Sequence, residues 1–358
     1  MTKKQVRQMR NTYIFVDLEA TSLRGRHHII EIGAVKLRPD GTTEKFTQLV
    51  KPYYFKRLSY GIEALTGITS EEVQEAPLII HGLQRFFAWC GKDYHLVTYG
   101  NLDRKMLEDE CADNNIDPAC IYPLIDYQQK YMIAENMRDQ PSLAKLLETH
   151  EQQASLAHRA LADAESLMKI FVASNGEKII DSQRTQRFVG VFTVYIKQET
   201  HFYAEVTFVE GHLHKEGVVI SNVESMVKEL TFTVNEVEKT KKDGETYIEN
   251  VYTVQRDEEL GAFLRKIANA MKGQVVLTRM NLRNFAKLCR LHGVQTVKTE
   301  LVSVGPLHAV EPAELWYKQE ESVEVHQQRL VALLTEAGSA IQQEFYRRGV
   351  LDMEFFGN

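Results

Sequence analysis

The chain has 358 residues, which is long enough for two domains with separate cores. Its composition, 44% hydrophobic and 26% charged, is that of a globular protein and excludes a disordered or fibrous chain. A formal net charge of −6 argues against attraction of nucleic acid by the whole surface, although it is compatible with a local basic groove.

The first half of the chain has the pattern of strands followed by helices. Strands are predicted at "TYIFVDLE", "IIEIGAVKL" and "KFTQLVKP", with "RPDG" as a turn. The segment "APLIIHGLQRFFAWC" has apolar residues at helical steps, and "HLVTY", "GN" and "LDRKMLEDECADNN" predict a strand, a break and a helix. Two more helices are predicted at "PSLAKLLETHEQ" and "HRALADAESLMKIFVASNG". This order predicts an α/β domain over residues 11–175.

The polar stretch "EKIIDSQRTQR" separates this part from a strand-rich second half, which we expect to be an α+β domain of unknown type over residues 188–358. Strands are predicted at "FVGVFTVYIKQ" and "HFYAEVTFVEGH", a helix at "VESMVKEL", and a hairpin that turns at "KKDG". Further on, "QVVLTRMNLRNFAKLCRLHGV" echoes "HLVTYGNLDRKMLEDECADNNI", with Asn281 opposite Asp103. The shared rhythm of α/β units accounts for this echo more simply than a degenerate duplication does.

Acidic residues stand at the ends of several predicted elements. Asp17 and Glu19 are two apart in the first strand, so their side chains point the same way, roughly 6 to 7 Å apart. Such a pair either binds a hard cation such as Mg²⁺ or Mn²⁺, or lies solvated at an exposed strand edge. Asp103 begins a helix after a glycine, and His158 precedes Asp163 at the start of another. Converging carboxylates need divalent ions, so the set favours a two-metal phosphodiester site with a histidine as proton acceptor.

Three motifs in this order resemble those of a known superfamily. "FVDLEAT", "VTYGNLDRKML" and "AHRALADA" resemble the three exonuclease motifs of the DEDDh superfamily of 3′-5′ exonucleases, over roughly residues 12–173. The resemblance implies a DnaQ-like domain with a ribonuclease-H-like α/β fold. "DLEAT", "LTGIT" and "RFFAWC" look most like the KapD and ERI-like branch, which is associated mainly with RNA 3′ ends. Two positions depart from that pattern: Leu102 stands where tryptophan is common, and Ser22 where cysteine is common.

The resemblance also implies a role for each catalytic candidate. Asp17 would bridge two metal ions, and Glu19 and Asp163 would bind the ion that carries the nucleophilic water. Asp103 would support the second ion, and His158 would be the general base. The implied activity is metal-dependent removal of nucleotides from single-stranded 3′ ends, with RNA favoured. The alternatives are a DNA proofreading or repair exonuclease, and a regulatory binding protein on the same fold.

Four further residues are candidates for holding the terminal nucleotide. By the resemblance, the first three would contact it with backbone groups and small side chains, and the fourth would wedge against its base. Core packing is an equal interpretation for each of them. They are Leu18, Ala20, Thr21 and Leu65.

The second half contains a basic segment without acids, from Leu260 to Thr299. Within it, four basic residues follow one another at steps of four, four and three: Arg279, Arg283, Lys287 and Arg290. A helix would place the last three on one face. Such a stripe could follow the phosphates of a single strand, or it could be an ordinary solvated face. The second domain is therefore expected to bind single-stranded nucleic acid or a protein partner.

Two patterns concern location. No apolar run reaches the ~20 residues of a membrane helix, and the basic N-terminus does not lead into a signal-peptide core. The four cysteines lack C-x-x-C spacing, so we expect them to be reduced, without a zinc site. We therefore expect a cytoplasmic protein with no membrane partner.

Overall fold

A computed structural model describes residues 9–23, 25–153, 159–197, 201–242, 244–307, 315–318 and 321–356. The chain divides into two compact units. Unit 1 comprises Met1–Arg184 and Tyr346–Met353, and unit 2 comprises Thr185–Phe345 and Glu354–Asn358. A segment from near the end of the chain therefore belongs to the unit that the beginning of the chain forms.

Unit 1 is built on a five-stranded mixed sheet. Its strands are β1 Thr12–Leu23, β2 Arg26–Leu37, β3 Thr43–Leu49, β4 Tyr94–Thr98 and β5 Leu124–Asp126. They lie in the order β3-β2-β1-β4-β5. The first three strands are antiparallel neighbours, whereas β4 runs parallel to β1 and β5 parallel to β4. This arrangement confirms the α/β architecture that the sequence predicts.

Eight described helices accompany this sheet. They are α1 Tyr60–Thr66, α2 Ser70–Glu75, α3 Ile79–Cys90, α4 Leu102–Asp113, α5 Tyr127–Ala134, α6 Leu143–Thr149, α7 Ala160–Ala173 and α8 Gly176–Ser182. The central strand β1 is buried on both faces. Tyr13 and Phe15 pack in one cluster with α7, and Ile14 and Val16 pack in another with α3 and α4. Because strand side chains alternate, the acids that follow at odd positions point to the α7 side.

Helix α7 passes very close to β2 at Gly33. A Cβ atom on Gly33 would lie 2.1 Å from backbone atoms of Ala160 and Leu161, a distance that no side chain can occupy. Gly33 is also the partner of Asp17 in the β1–β2 ladder. Glycine at this position therefore lets the start of α7, with Asp163, approach the strand that carries Asp17.

The segment that returns to unit 1 also makes specific contacts. Arg104 of α4 donates a hydrogen bond of 3.4 Å to the carbonyl of Arg347. The guanidinium of Arg347 lies 5.0 Å from the ring centre of Tyr122, and Arg184 forms an ion pair with Asp352. The first two contacts hold this segment against α4 and the turn at Tyr122, and the third holds it to Arg184, which follows α8.

Unit 2 contains a six-stranded mixed sheet. Its strands are β6 Arg187–Lys197, β7 His201–His214, β8 Gly217–Thr240, β9 Thr246–Val254, β10 Val275–Thr278 and β11 Glu300–Ser303. Their order is β11-β10-β6-β7-β8-β9. The helices that follow along the chain are α9 Glu258–Ala270, α10 Arg283–Leu291, α11 Val323–Glu336, α12 Gly338–Arg347 and α13 Met353–Phe356. The last two residues of α12 and the first residue of α13 belong to unit 1. Among the described residues, none of the helices in either unit combines the length and the apolar character that a bilayer crossing requires.

One secondary-structure prediction in this unit is wrong. The segment "VESMVKEL" is not a helix but part of β8, where Val223 pairs with Val209 and Leu230 pairs with Phe202. Its eight residues suit either period, and the long ladder with β7 decides in favour of the strand. The hairpin that follows is confirmed, with the amide of Gly244 bonded to the carbonyl of Lys241 at 3.0 Å in its turn.

Substitution of Gly33 tests the close approach of α7. Gly33→Ala should lower the unfolding free energy by about 2 kcal/mol or more, because the new methyl group meets backbone rather than a flexible side chain. The melting temperature, followed by circular dichroism in EDTA, should fall by roughly 4 °C or more.

Gly61→Ala is the matched control, since a Cβ there meets no atom within 4 Å. It should leave the melting temperature unchanged or slightly raised, because alanine favours the helix. Equal melting temperatures for both variants would contradict the close approach.

Candidate active site

Three carboxylates converge where β1 meets α7. One oxygen each from Asp17, Glu19 and Asp163 lies within 4.8 Å of the others. All three side chains are partly exposed, so the cluster opens to solvent. Of the two interpretations of Asp17 and Glu19 that the sequence leaves open, this geometry favours the cation-binding pair over the solvated strand edge.

A β-bulge lies beside the two acids of β1. Glu19 pairs with Glu31, but the next residue, Ala20, pairs with Ile29, so that β2 contributes an extra residue at Ile30. Bulges bend a strand and change the direction of nearby side chains. The regular ladder is therefore interrupted directly beyond the pair of acids.

An ion pair between the buried Glu31 and the partly exposed Arg159 fixes the start of α7. The Glu31 side chain is 1% exposed and accepts hydrogen bonds from Arg159 Nη2 at 2.6 Å and Arg159 Nε at 3.0 Å. It also accepts the backbone N–H of Ala160 at 3.2 Å. This pair was not predicted from the sequence, although an acid within the apolar run "IIEIGAV" is a signal for it. Glu31 and Arg159 thus position the helix that carries Asp163.

The electrostatics of the cluster favour a bound cation. Burial raises the pKa of Asp17 well above its usual value, and the nearby carboxylates Asp103 and Asp163 raise it further. The pKa of Glu19 is raised to about 7, first by burial and then by Glu31, while Arg159 opposes this shift. A divalent ion would relieve this repulsion and stabilise the charged forms. The donor set, all oxygen, also suits Mg²⁺ or Mn²⁺.

Asp103 is the fourth carboxylate of this region. It is the second residue of α4 and is only 8% exposed. Burial, followed by the charges of Asp126 and Glu19, raises its pKa to about 7. Asp126 ends β5 and accepts the backbone N–H of Gly100 at 3.0 Å, in the loop before α4. The role of Asp126 was not predicted from the sequence, because nothing in "PLIDYQ" indicates which loop this residue contacts.

The other candidates of the first domain differ in exposure. Leu18 packs in the core cluster beside α3 and α4, and Thr21 is also buried. Ala20 is half-buried. Leu65 is 55% exposed on α1, so core packing is not its role. His158 lies outside the described residues.

The basic residues of unit 2 lie on and before α10. Arg283, Lys287 and Arg290 are exposed along this helix, while Phe285, Leu288 and Cys289 are buried beneath it. The helix and the exposed basic face are thus as the sequence predicts.

Two of the four basic side chains also contact aromatic rings. The guanidinium of Arg279 lies 3.7 Å from the ring centre of Trp316, and Lys287 Nζ lies 4.4 Å from that of Tyr195. Such contacts stabilise the positions of the cations without neutralising their charge.

Comparisons with known proteins agree with this geometry. Residues 14–171 match the RNase_T family, described as "Exonuclease". The chain is 26% identical over 170 residues to the probable 3′-5′ exonuclease KapD of Bacillus subtilis (strain 168), covering 45% of this chain and 83% of KapD. It is 29% identical over 166 residues to the PolC-type DNA polymerase III of the same organism, covering 43% of this chain. This chain spans only 11% of the length of that polymerase.

A solved structure covers more of the chain at lower similarity. Exonuclease I of E. coli, in complex with a dT13 oligonucleotide, aligns over 97% of this chain and 92% of its own, with 14% identity and a TM-score of 0.43.

Replacement of Asp17 tests the electrostatic strain of the site. Asp17→Asn should raise the melting temperature of the protein in EDTA by a few degrees at pH 8. The folded-state pKa of Asp17 lies above the unfolded-state value, so the wild-type protein loses stability as the pH rises through this range. Asparagine carries no such penalty, and the gain should vanish below about pH 4, where the carboxyl is protonated in both states.

Asp139→Asn, at an exposed position of the same unit, serves as control and should change little at either pH. A lower melting temperature for Asp17→Asn at pH 8 would show that the carboxylate stabilises the metal-free fold.

Proposed function

We infer from the match of residues 14–171 to the RNase_T exonuclease family and from the similarity to KapD that this protein is a metal-dependent 3′-5′ exonuclease of the DEDDh superfamily of DnaQ-like exonucleases. The observation that carries the proposal is the convergence of Asp17, Glu19 and Asp163 within 4.8 Å. We assign catalysis to the proposed domain at residues 11–175, and we assign binding of substrate or a partner to residues 188–358.

The carboxylates are proposed to hold two divalent ions, Mg²⁺ or Mn²⁺. Asp17, Glu19 and Asp163 supply the convergent donors, and the buried Asp103 completes the set. Divalent ions held by these residues would supply an activated water and a positive charge beside the leaving 3′-oxygen of the phosphodiester. Arg159 and Glu31 keep α7 in place, so that Asp163 stays beside the two acids of β1.

His158 is proposed as the general base. It directly precedes Arg159, the residue that the buried Glu31 holds at the start of α7. A neutral imidazole at this point of the chain can accept the proton of the attacking water. This assignment rests on the sequence motif "AHRALADA".

Single-stranded nucleic acid is the proposed substrate, with RNA favoured. The wording of the motifs, which resembles the KapD and ERI-like branch associated mainly with RNA 3′ ends, supports RNA. The similarity to PolC-type polymerases keeps a DNA proofreading or repair exonuclease as the second candidate. Leu65, exposed on α1, is the proposed contact to the terminal base, and Leu18, Ala20 and Thr21 are proposed to hold the same nucleotide through backbone groups and small side chains.

A cytoplasmic location is part of the proposal. The four cysteines are free, and three of them are buried. Free thiols are typical of proteins that work in a reducing compartment.

Loss of a metal ligand tests the catalytic assignment. Asp163→Asn should reduce the shortening of a 5′-labelled single strand to roughly a hundredth of the wild-type rate or less, in Mg²⁺ or Mn²⁺, because one convergent donor is lost. The products should be a ladder that shortens from the 3′ end.

Asp113→Asn is a matched control, because Asp113 forms an ion pair with Arg26 on the surface of the same unit. It should retain the wild-type rate. Unchanged cleavage by Asp163→Asn would remove Asp163 from the metal site.

Matched substrates test the preference for RNA. The protein should shorten a single-stranded RNA faster than a single-stranded DNA of the same sequence, since proteins distinguish RNA from DNA at the 2′-hydroxyl. It should shorten both single strands faster than the corresponding duplexes. A faster rate on DNA would favour the repair alternative. Tight binding with no cleavage of either strand would instead indicate a regulatory binding protein.

A further inference from the structure

The two units share one sheet topology. In unit 1, the antiparallel strands β3, β2 and β1 are followed in space by the parallel strands β4 and β5. In unit 2, β8, β7 and β6 are antiparallel and are followed by the parallel strands β10 and β11. The order in which the five strands follow one another along the chain is the same in both units. Strand β9 is an additional strand at the edge of the second sheet.

The sequence after the fourth strand gives a residue-level alignment. Thr98–Asp103 reads "TYGNLD" and Thr278–Arg283 reads "TRMNLR", so both contain T-x-x-N-L directly before or at the start of a helix. Both threonine hydroxyls donate to a carbonyl of the following turn, at 3.2 Å in unit 1 and 3.1 Å in unit 2. This alignment places Asp103 opposite Arg283 rather than opposite Asn281.

The strand ladders extend the alignment to the central strand. Val97 of β4 pairs with Phe15, and the corresponding Leu277 of β10 pairs with Gly190. Counting two and four residues onward, Asp17 corresponds to Phe192 and Glu19 to Val194. Phe192 is 3% exposed, so an apolar side chain fills the position of the first metal ligand.

An independent feature agrees with this alignment. Glu19 pairs with Glu31, and Val194 pairs with Glu205, so Glu205 corresponds to Glu31. Glu205 is 2% exposed and its Oε1 lies 3.3 Å from Nε2 of His326, in the first turn of α11. In each unit a buried glutamate of the second strand therefore meets a basic side chain at the start of a later helix. The contact of the buried glutamate is therefore retained in unit 2. The three acids Asp17, Glu19 and Asp103 are replaced.

The replacement of Asp103 by Arg283 also changes the charge at the start of this helix from negative to positive. Arg283, Lys287 and Arg290 form an exposed basic face on α10, which we call the α10 face, in a segment without acids from Leu260 to Thr299. In the part of unit 2 that the structure describes, Lys266 of α9 pairs with Glu224, but no ion pair involves these three residues. Such a surface is complementary to a phosphate backbone, which it would contact directly and without a metal ion.

We propose that unit 2 is a second copy of the exonuclease fold that has lost its metal ligands and binds single-stranded nucleic acid through the α10 face without divalent ions. This inference rests on the proposed function for the class of ligand. The proposed site in unit 2 is not a second nuclease site, because Phe192, Val194 and Arg283 cannot hold a metal ion.

Binding in the absence of metal tests the proposal. The full wild-type chain in EDTA and the full-length Asp17→Asn variant in Mg²⁺ should bind a 5′-labelled oligouridylate with equal affinity. The triple variant Arg283→Glu, Lys287→Glu, Arg290→Glu should lose about tenfold or more in affinity in EDTA. The slope of log affinity against log salt should become shallower by about 2, since each lost phosphate contact removes roughly 0.7 for a single strand.

The triple variant Lys239→Glu, Lys241→Glu, Lys242→Glu is the matched control, with the same change of charge on the exposed β8–β9 hairpin of the same unit. It should bind as the wild type does. The pair of neutral changes Arg283→Gln and Lys287→Gln should give an intermediate loss, and circular dichroism confirms that each variant is folded.

Binding that requires Mg²⁺, or an unchanged affinity and salt slope in the folded α10-face variants, would overturn the proposal. Equal losses in both triple variants would overturn it as well, because the effect would then be one of overall charge. Cleavage of a short oligonucleotide by the wild-type chain is measured separately. Its absence would contradict the proposed exonuclease and leave the metal-independent binding result intact.

Discussion

The contact between β2 and the start of α7 is the constraint on which the first unit depends. Gly33 leaves room for the helix backbone, and the buried Glu31 holds both Arg159 and the amide of Ala160. Without the glycine the helix could not approach, and without the glutamate its first turn would lack a partner. The approach delivers Asp163 to Asp17 and Glu19. Burial, followed by the charges of neighbouring carboxylates, raises the pKa values of both β1 acids, so the protein gives up stability to assemble the cluster.

Much of the first domain could be predicted from the sequence, because its signals are local. The apolar strand with Asp17 and Glu19, the glycine break before Asp103 and the order of the motifs each lie within a few residues. The contacts of Glu31 with Arg159 and of Asp126 with Gly100 span long stretches of chain, and no local pattern specifies them. The strand at "VESMVKEL" was missed for a related reason, since its ladder partner β7 decides its conformation.

The echo between the two strand-turn-helix segments shows the same limit in unit 2. The sequence alone favours a shared rhythm over a duplication, and an alignment on Cys111 and Cys289 places Asn281 opposite Asp103. The strand ladders supply the residue-level alignment that the sequence does not, because pairing partners carry the register from one strand to the next. Glu205 and His326 become meaningful only after that register is known.

The return of Tyr346–Met353 to unit 1 has a consequence for the synthesis of the protein. A ribosome releases the chain from its N-terminus, and N-terminal domains generally fold first. Here the contacts of Arg104 with the Arg347 carbonyl and of Arg184 with Asp352 form only after Thr185–Phe345, the main part of unit 2, has been translated. Until Tyr346–Met353 has been synthesised, the nascent unit 1 therefore lacks its last segment and part of α4 stays uncovered. A fragment that ends at Arg184 would keep the whole carboxylate cluster but would remain in that unfinished state.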